Sequence, residues 1–161
     1  MTQKILPANA YVIDTSALID LFRGYPPDVF GGLWKLVEAA VAKGDLVAPE
    51  EVLDELAQKD DELLRWAKRH RRMFRRLDAG QVAEAQRVLA DFPGLVDIDK
   101  TIPDADPFVV ALGKMGYIVV TSEKPKGPGG RPTIPSVCAG YKIRCIDLLQ
   151  LFRDRGWKWT P

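Results

Sequence analysis

Apolar positions along the chain alternate between two rhythms, short unbroken runs and long stretches at helical spacing. Tyr11-Val12-Ile13 is an unbroken run, which predicts a buried strand. It runs directly into Asp14-Thr15-Ser16, and the apolar residues after it predict a helix over 17–22, capped by Ser16 and stopped by Gly24 and Pro26-Pro27. Val29, Phe30, Leu33, Leu36, Val37, Ala40 and Val41 recur at helical spacing, so a helix is expected over 28–43, with Gly44 as its stop. Leu46-Val47-Ala48 reads as a second strand, and Pro49 opens a helix over 50–58. Residues 59–95 read as helical throughout, an excursion between strands. Val96-Asp97-Ile98 is a marginal strand. A helix through Phe108, Val109, Ala111 and Leu112 leads to the strongest strand, Tyr117-Ile118-Val119-Val120-Thr121. A short helix over 136–139, a strand over 142–146 and a helix over 147–155 complete the pattern. Strands alternating with helices predict an α/β fold. Its expected form is a three-layer α/β/α arrangement around a central, mainly parallel sheet of four to five strands, in a single domain over 1–161.

Composition narrows what such a domain does. The chain has 161 residues, 47% hydrophobic and 28% charged, with a formal net charge of +1. It is no polyelectrolyte, so affinity for nucleic acid must come from local clustering of charge. One cluster stands out: Lys68 to Arg76 holds Lys68, Arg69, Arg71, Arg72, Arg75 and Arg76 around the only histidine, His70. Clustered cations suit phosphates, and Phe74 offers a stacking face. Alternatively the run is a solvated helix face paired with Asp60, Asp61 and Glu62. Lys124, Lys126 and Arg131, in a Gly/Pro-rich loop, are further candidates for substrate contact. Cys138 and Cys145 match no zinc spacing and read as small buried hydrophobes. No signal-peptide pattern or membrane-length apolar run is present, so a cytoplasmic protein without membrane contact is expected. Trp157 and Trp159 are expected to cover a core edge or an interface.

The acids carry the chemical signal. Asp14 ends the first strand, and a carboxylate closing a buried apolar strand is costly without a partner. In an open α/β sheet it faces the crevice beyond the carboxyl ends of the strands. Glu51, Asp54 and Glu55 lie in the helix after the second strand. Asp104 and Asp106 precede a helix, and Glu123 follows the strongest strand. Carboxylates gathered at one sheet edge repel one another unless a cation intervenes, and oxygen ligands alone select Mg²⁺ or Mn²⁺. The competing reading is structural. Asp106 before Pro107 sits where an N-cap belongs, and acids in a first helical turn favour the helix dipole.

Taken together and in order, several segments resemble the PIN-domain family of the VapC-toxin kind. They are Val12-Ile13-Asp14-Thr15-Ser16, the segment from Ala48 to Leu56, Ala105-Asp106-Pro107 through Ala111, Val119-Val120-Thr121-Ser122-Glu123, and Ile134-Pro135. The resemblance covers most of the chain outside 59–95. It implies a PIN-like fold and a metal-dependent ribonuclease that cleaves single-stranded RNA, the toxin of a toxin–antitoxin pair, with a cognate antitoxin and a homodimer as expected partners. It assigns Asp14, Glu55 and Asp106 as ligands of Mg²⁺ or Mn²⁺ and Glu123 as the nearest match to the fourth acid. The family often carries an aspartate a few residues beyond the strand's Thr, so this chain departs from the pattern there. Thr15, Ser16, Thr121 and Asp104 are expected around the ligands, and Arg71, Arg72, Arg75, Arg76, Lys124, Lys126 and Arg131 on RNA. Position on the helix does not separate Glu55 from Asp54; the resemblance does. The alternative is a catalytically degenerate PIN-like module that binds RNA or a protein partner. A haloacid-dehalogenase-like phosphatase is disfavoured because Ser16 stands where its second Asp belongs.

Overall fold

The apolar run at 11–13 becomes the middle strand of the molecule. In the computed structural model, which describes residues 9–96, 104–125 and 130–158, strand β1 (Tyr11–Ile13) is buried along its whole length. On one side it pairs with β2 (Leu46–Pro49), and on the other with β4 (Ile118–Val120). The strands β3 (Phe74–Arg75) and β5 (Cys145–Ile146) extend the sheet to the order β3-β2-β1-β4-β5, parallel at every step. The register is set by Val12 opposite both Val47 and Val119. Parallel strands covered on both faces must be apolar throughout, which is why β1 and β2 carry no alternation.

Helices flank this sheet to give three α/β/α layers. They are α1 (Thr15–Gly24), α2 (Gly31–Lys43), α3 (Glu50–Lys59), α4 (Asp61–Arg69), α5 (Ala79–Asp91), α6 (Asp106–Lys114), α7 (Ile134–Tyr141) and α8 (Leu148–Arg155). Aromatic edges join several of them. Phe22 of α1 meets Trp34 of α2, Trp34 meets Trp66 of α4, and Tyr25 at the end of α1 meets Phe152 of α8. The chain packs α5, α6 and α7 side by side. Helix α6 lies against the central strands at unusually close range. A Cβ on Gly113 would stand 2.8 Å from Val119 Cγ2 and 3.0 Å from a methyl of Ile143, so only glycine admits this approach. Among the described residues no helix is long and apolar enough to cross a membrane.

Several expectations are corrected. The segment 59–95 is not wholly helical, because Phe74 and Arg75 form β3 against Ala48 and Pro49. Two residues are too few to show a strand's period, and what holds them is burial of Met73 and Phe74. Phe74 is therefore part of the core and not a free stacking face. The first helix is capped by Asp14 and not by Ser16: the Ala17 N–H donates to Asp14 Oδ1 at 2.8 Å, and Ser16 lies inside the helix. Asp106 is likewise the first helical residue, with Ala105 at the N-cap. The marginal strand at 96–98 extends into residues outside those described.

Candidate functional site

Parallel strands bring their carboxyl ends to one edge, and the side chains that follow them meet there. Asp14 continues the β1–β4 pairing by donating its N–H to Val120 at 3.0 Å, which places its carboxylate beside Thr121. The carboxylate is buried and receives the Thr121 hydroxyl, the Ser16 hydroxyl at 2.9 Å and the Ala17 N–H. Ser16 Oγ in turn accepts from the Ser122 N–H at 3.1 Å, and Thr121 Oγ1 accepts from the Glu123 N–H at 3.1 Å. The residues Thr15, Ser16 and Thr121 thus form a hydroxyl frame around the acids. Thr15 completes it by donating to Glu55 Oε1 at 2.9 Å.

Glu55 links three elements. It sits on α3, takes the Thr15 hydroxyl from α1, and takes the Ala105 N–H at 3.2 Å from the turn before α6. Asp54 is exposed. The rotation of α3 therefore separates the two acids, a distinction that spacing alone left open. Asp106 is the first residue of α6, and burial and neighbouring charges act on its carboxylate. Glu123 accepts the Ile134 N–H at 3.0 Å, at the start of α7.

The electrostatics of this edge are those of crowded acids. Burial pushes the Asp14 carboxyl up to about 7, against the hydrogen bonds from Thr121, Ala17 and Ser16. Burial pushes Asp106 up to about 8, and the charges of Glu123, Asp14, Glu55 and Asp104 add to it. Glu123 is raised by burial, opposed by the Ile134 N–H, and raised further by Glu55 and Asp104, while Lys59 pulls it down. These groups oppose one another's ionisation. Burial, more than mutual repulsion, holds Asp14, Asp106 and Glu123 toward their neutral forms.

The donor set fits a hard divalent ion: carboxylates framed by hydroxyls. Asp14, Glu55 and Asp106 are the carboxylates this edge offers, with Glu123 and Asp104 close enough to be felt electrostatically. Among the described residues, no three such side chains converge at ligand distance. Each of Asp14, Glu55 and Glu123 is turned instead toward a donor of the chain itself.

Beside the acids lies a cavity of about 380 Å³, with Thr121, Glu123 and Lys124 on one wall and Asp20, Asp147 and Leu149 among the others. Asp147, which lines this cavity, is exposed and is not among the residues the sequence singles out. It repeats the Asp14 arrangement, an acid directly after a strand that caps the following helix, here through the Gln150 N–H at 2.9 Å. That repetition was the available signal.

The cations are less gathered. Arg71, Arg72, Arg75 and Arg76 are exposed. Arg75 is level with Pro49 in the sheet, yet its guanidinium lies beside Gly44, at the entry to β2 and away from the acids. His70 leaves the basic run to stack on Trp66 and pair with Glu38 at 3.4 Å. Asp60 caps α4 and pairs with Arg23, not with the run. Lys124 and Arg131 are exposed, and Lys126 lies outside the described residues.

Over residues 11–159 the chain matches the family described as a domain of unknown function (DUF4411). No curated protein matches it.

Proposed function

We propose that this chain, which belongs to the DUF4411 family, is a metal-dependent endoribonuclease of the PIN type acting on single-stranded RNA. The observation that carries the reading is Asp14, a buried carboxylate at the end of the central strand, with Asp106, Glu55 and Glu123 near enough to raise the cost of its neighbours' charges. An acid cluster of this kind is unfavourable alone and favourable around a divalent ion.

Asp14, Glu55 and Asp106 would hold Mg²⁺ or Mn²⁺. When bound, such an ion polarises phosphoryl oxygens and lowers the pKa of water. The chain's own residues supply the order. Thr121 and Ser16 fix the Asp14 carboxylate by donating to it, and Thr15 holds Glu55 against the turn before α6. Burial raises the Glu123 carboxyl and pushes Asp106 up to about 8, so both resist ionisation until a cation offsets the charge. The cavity beside Thr121 and Glu123 gives a phosphodiester room to approach, with Lys124 on its wall. The resemblance to VapC-type sequences further supports a toxin role, with an antitoxin partner and a dimer.

A specific observation favours a second reading, a PIN-like module that binds without cutting: the carboxylates are engaged by the chain's own donors and do not converge. A titration of Mn²⁺ against cleavage of a defined single-stranded RNA separates the two. Cleavage that requires the metal, stops in EDTA and is lost in Asp14→Asn is expected. Activity that persists in EDTA and in Asp14→Asn would sink the nuclease reading. Binding without cleavage at any metal concentration would establish the module.

A further inference from the structure

A second cavity, of about 300 Å³, opens where the end of α1 meets α8. Its walls are aromatic: Tyr25, Phe152 and Trp157. The three rings are braced against one another, Tyr25 edge-on to Phe152 at 5.4 Å between centroids and Phe152 against Trp157 at 6.0 Å. Two cations, Arg153 and Lys158, stand at its rim. Neither has an acid partner among the described residues. The acid next to Arg153 is already committed, since Asp154 is paired with Arg144 and held by Gln150.

Leu149 lines both this cavity and the one beside Thr121 and Glu123. It is 49% exposed. Leu149 and Arg153 lie four apart on one face of α8, and the helix ends at Gly156, its left-handed C-cap, so this face runs from the acid edge into the aromatic cavity. The distance along it is roughly 10 Å at 1.5 Å per residue.

We infer that this cavity is a nucleobase subsite, taking one unpaired base of the RNA whose backbone lies at the acid cluster, with Arg153 and Lys158 on the adjoining phosphates. The inference rests on the ribonuclease reading and gives that site a second point of contact. A flat apolar body bearing negative charge is what aromatic walls with unpartnered cations complement. A docked protein fits less well. On α8 the exposed large hydrophobic residue is Leu149 alone, and one leucine is far short of the contiguous apolar area that a protein interface buries.

The test uses a short oligouridylate carrying 4-thiouridine, with the full chain, with and without Mn²⁺. Irradiation followed by peptide mapping should place the adduct on Tyr25 or Trp157. Arg153→Glu combined with Lys158→Glu should weaken binding about tenfold, with Mn²⁺ affinity and melting temperature unchanged, because both side chains are exposed and away from the acids. Trp157→Ala should weaken binding to a similar degree; the charge variant keeps the result readable if that substitution unsettles the fold. RNA that binds wild type yet gives no adduct in this cavity, with unchanged affinity in the charge variant, overturns the subsite, leaves the cavity to a protein partner, and spares the nuclease reading. Wild-type protein that binds no RNA overturns both.

Discussion

The acid edge and the basic edge of this molecule are built on opposite terms. Asp14 is 2% exposed and is reached by three donors within the protein. Arg71, Arg72 and Arg76 are exposed and stand two strands away from it, at the margin of the sheet. Charge in water costs little and is easily exchanged, whereas charge in a crowded interior must be neutralised by something specific. The acids are therefore under a physical constraint that the arginines are not. Six basic residues in nine are conspicuous in the sequence, but the structure does not bring them to the acids. Four acids scattered over more than a hundred positions are inconspicuous, and the structure brings them within electrostatic reach of one another.

The sharpest way to break this contrast is Asp106→Asn. Asp106 is the first residue of α6 and not its N-cap, so the amide forfeits little structurally. It removes a charge opposed by Glu123, Asp14, Glu55 and Asp104. Metal-free Asp106→Asn should melt at or above the wild-type temperature at pH 8. Its Mn²⁺ affinity by calorimetry should fall by a hundredfold or more, since losing an outer-shell partner alone costs about 10–100-fold. Wild-type affinity in this variant would return Asp106 to a purely structural role.

Next in size is the pH dependence of stability without metal. Asp14 and Asp106 bind their protons more tightly folded than unfolded. Their contribution is full below the ordinary carboxylate range and is lost as pH rises through about 7 and about 8. Melting temperature should fall between pH 5.5 and 8.5 by about 5 °C or more, given roughly 2–4 °C per kcal/mol for a chain of this size. Saturating Mn²⁺ should flatten or reverse that slope, because ligands bind it deprotonated. A flat metal-free profile would mean that the acids are less crowded than their positions imply.

The smallest expected effect lies at the basic edge. Arg71→Gln, Arg72→Gln and Arg76→Gln should each leave stability within about 0.5 kcal/mol and each reduce the slope of log RNA affinity against log salt by about one. Arg75→Gln should leave the slope unchanged, since that guanidinium turns toward Gly44. Four equal effects would show that RNA wraps the whole margin; none would place this edge outside the interface.

What was legible in the sequence follows the same division. Three strand-forming residues ending in an acid made Asp14 readable, because burial of Tyr11-Val12-Ile13 dictates where the next side chain lies. The parallel sheet was readable from strands spaced by helices. The cap was misplaced by two residues because Asp and Ser cap equally well, and which one does so depends on where the first turn closes. Glu55 and Asp54 sit on opposite borders of one apolar stripe, so only the docking of α3 on Thr15 chooses between them. β3 exists through partners at Ala48 and Pro49, and no local pattern of two residues announces that.

The missing methyl at Gly113 reaches further than packing. Gly113 lies seven residues beyond Asp106 on the same helix, about 10 Å at 1.5 Å per residue. Helix α6 acts as a rigid rod, seated at one end against Val119 and Ile143 and carrying an acid at the other. The contact at Gly113 is thus a depth stop for the carboxylate, and an alanine there would lift the rod from its seat and tilt its tip. The spacing between Asp106 and Asp14 is therefore set partly by a residue with no side chain, at the other end of the helix.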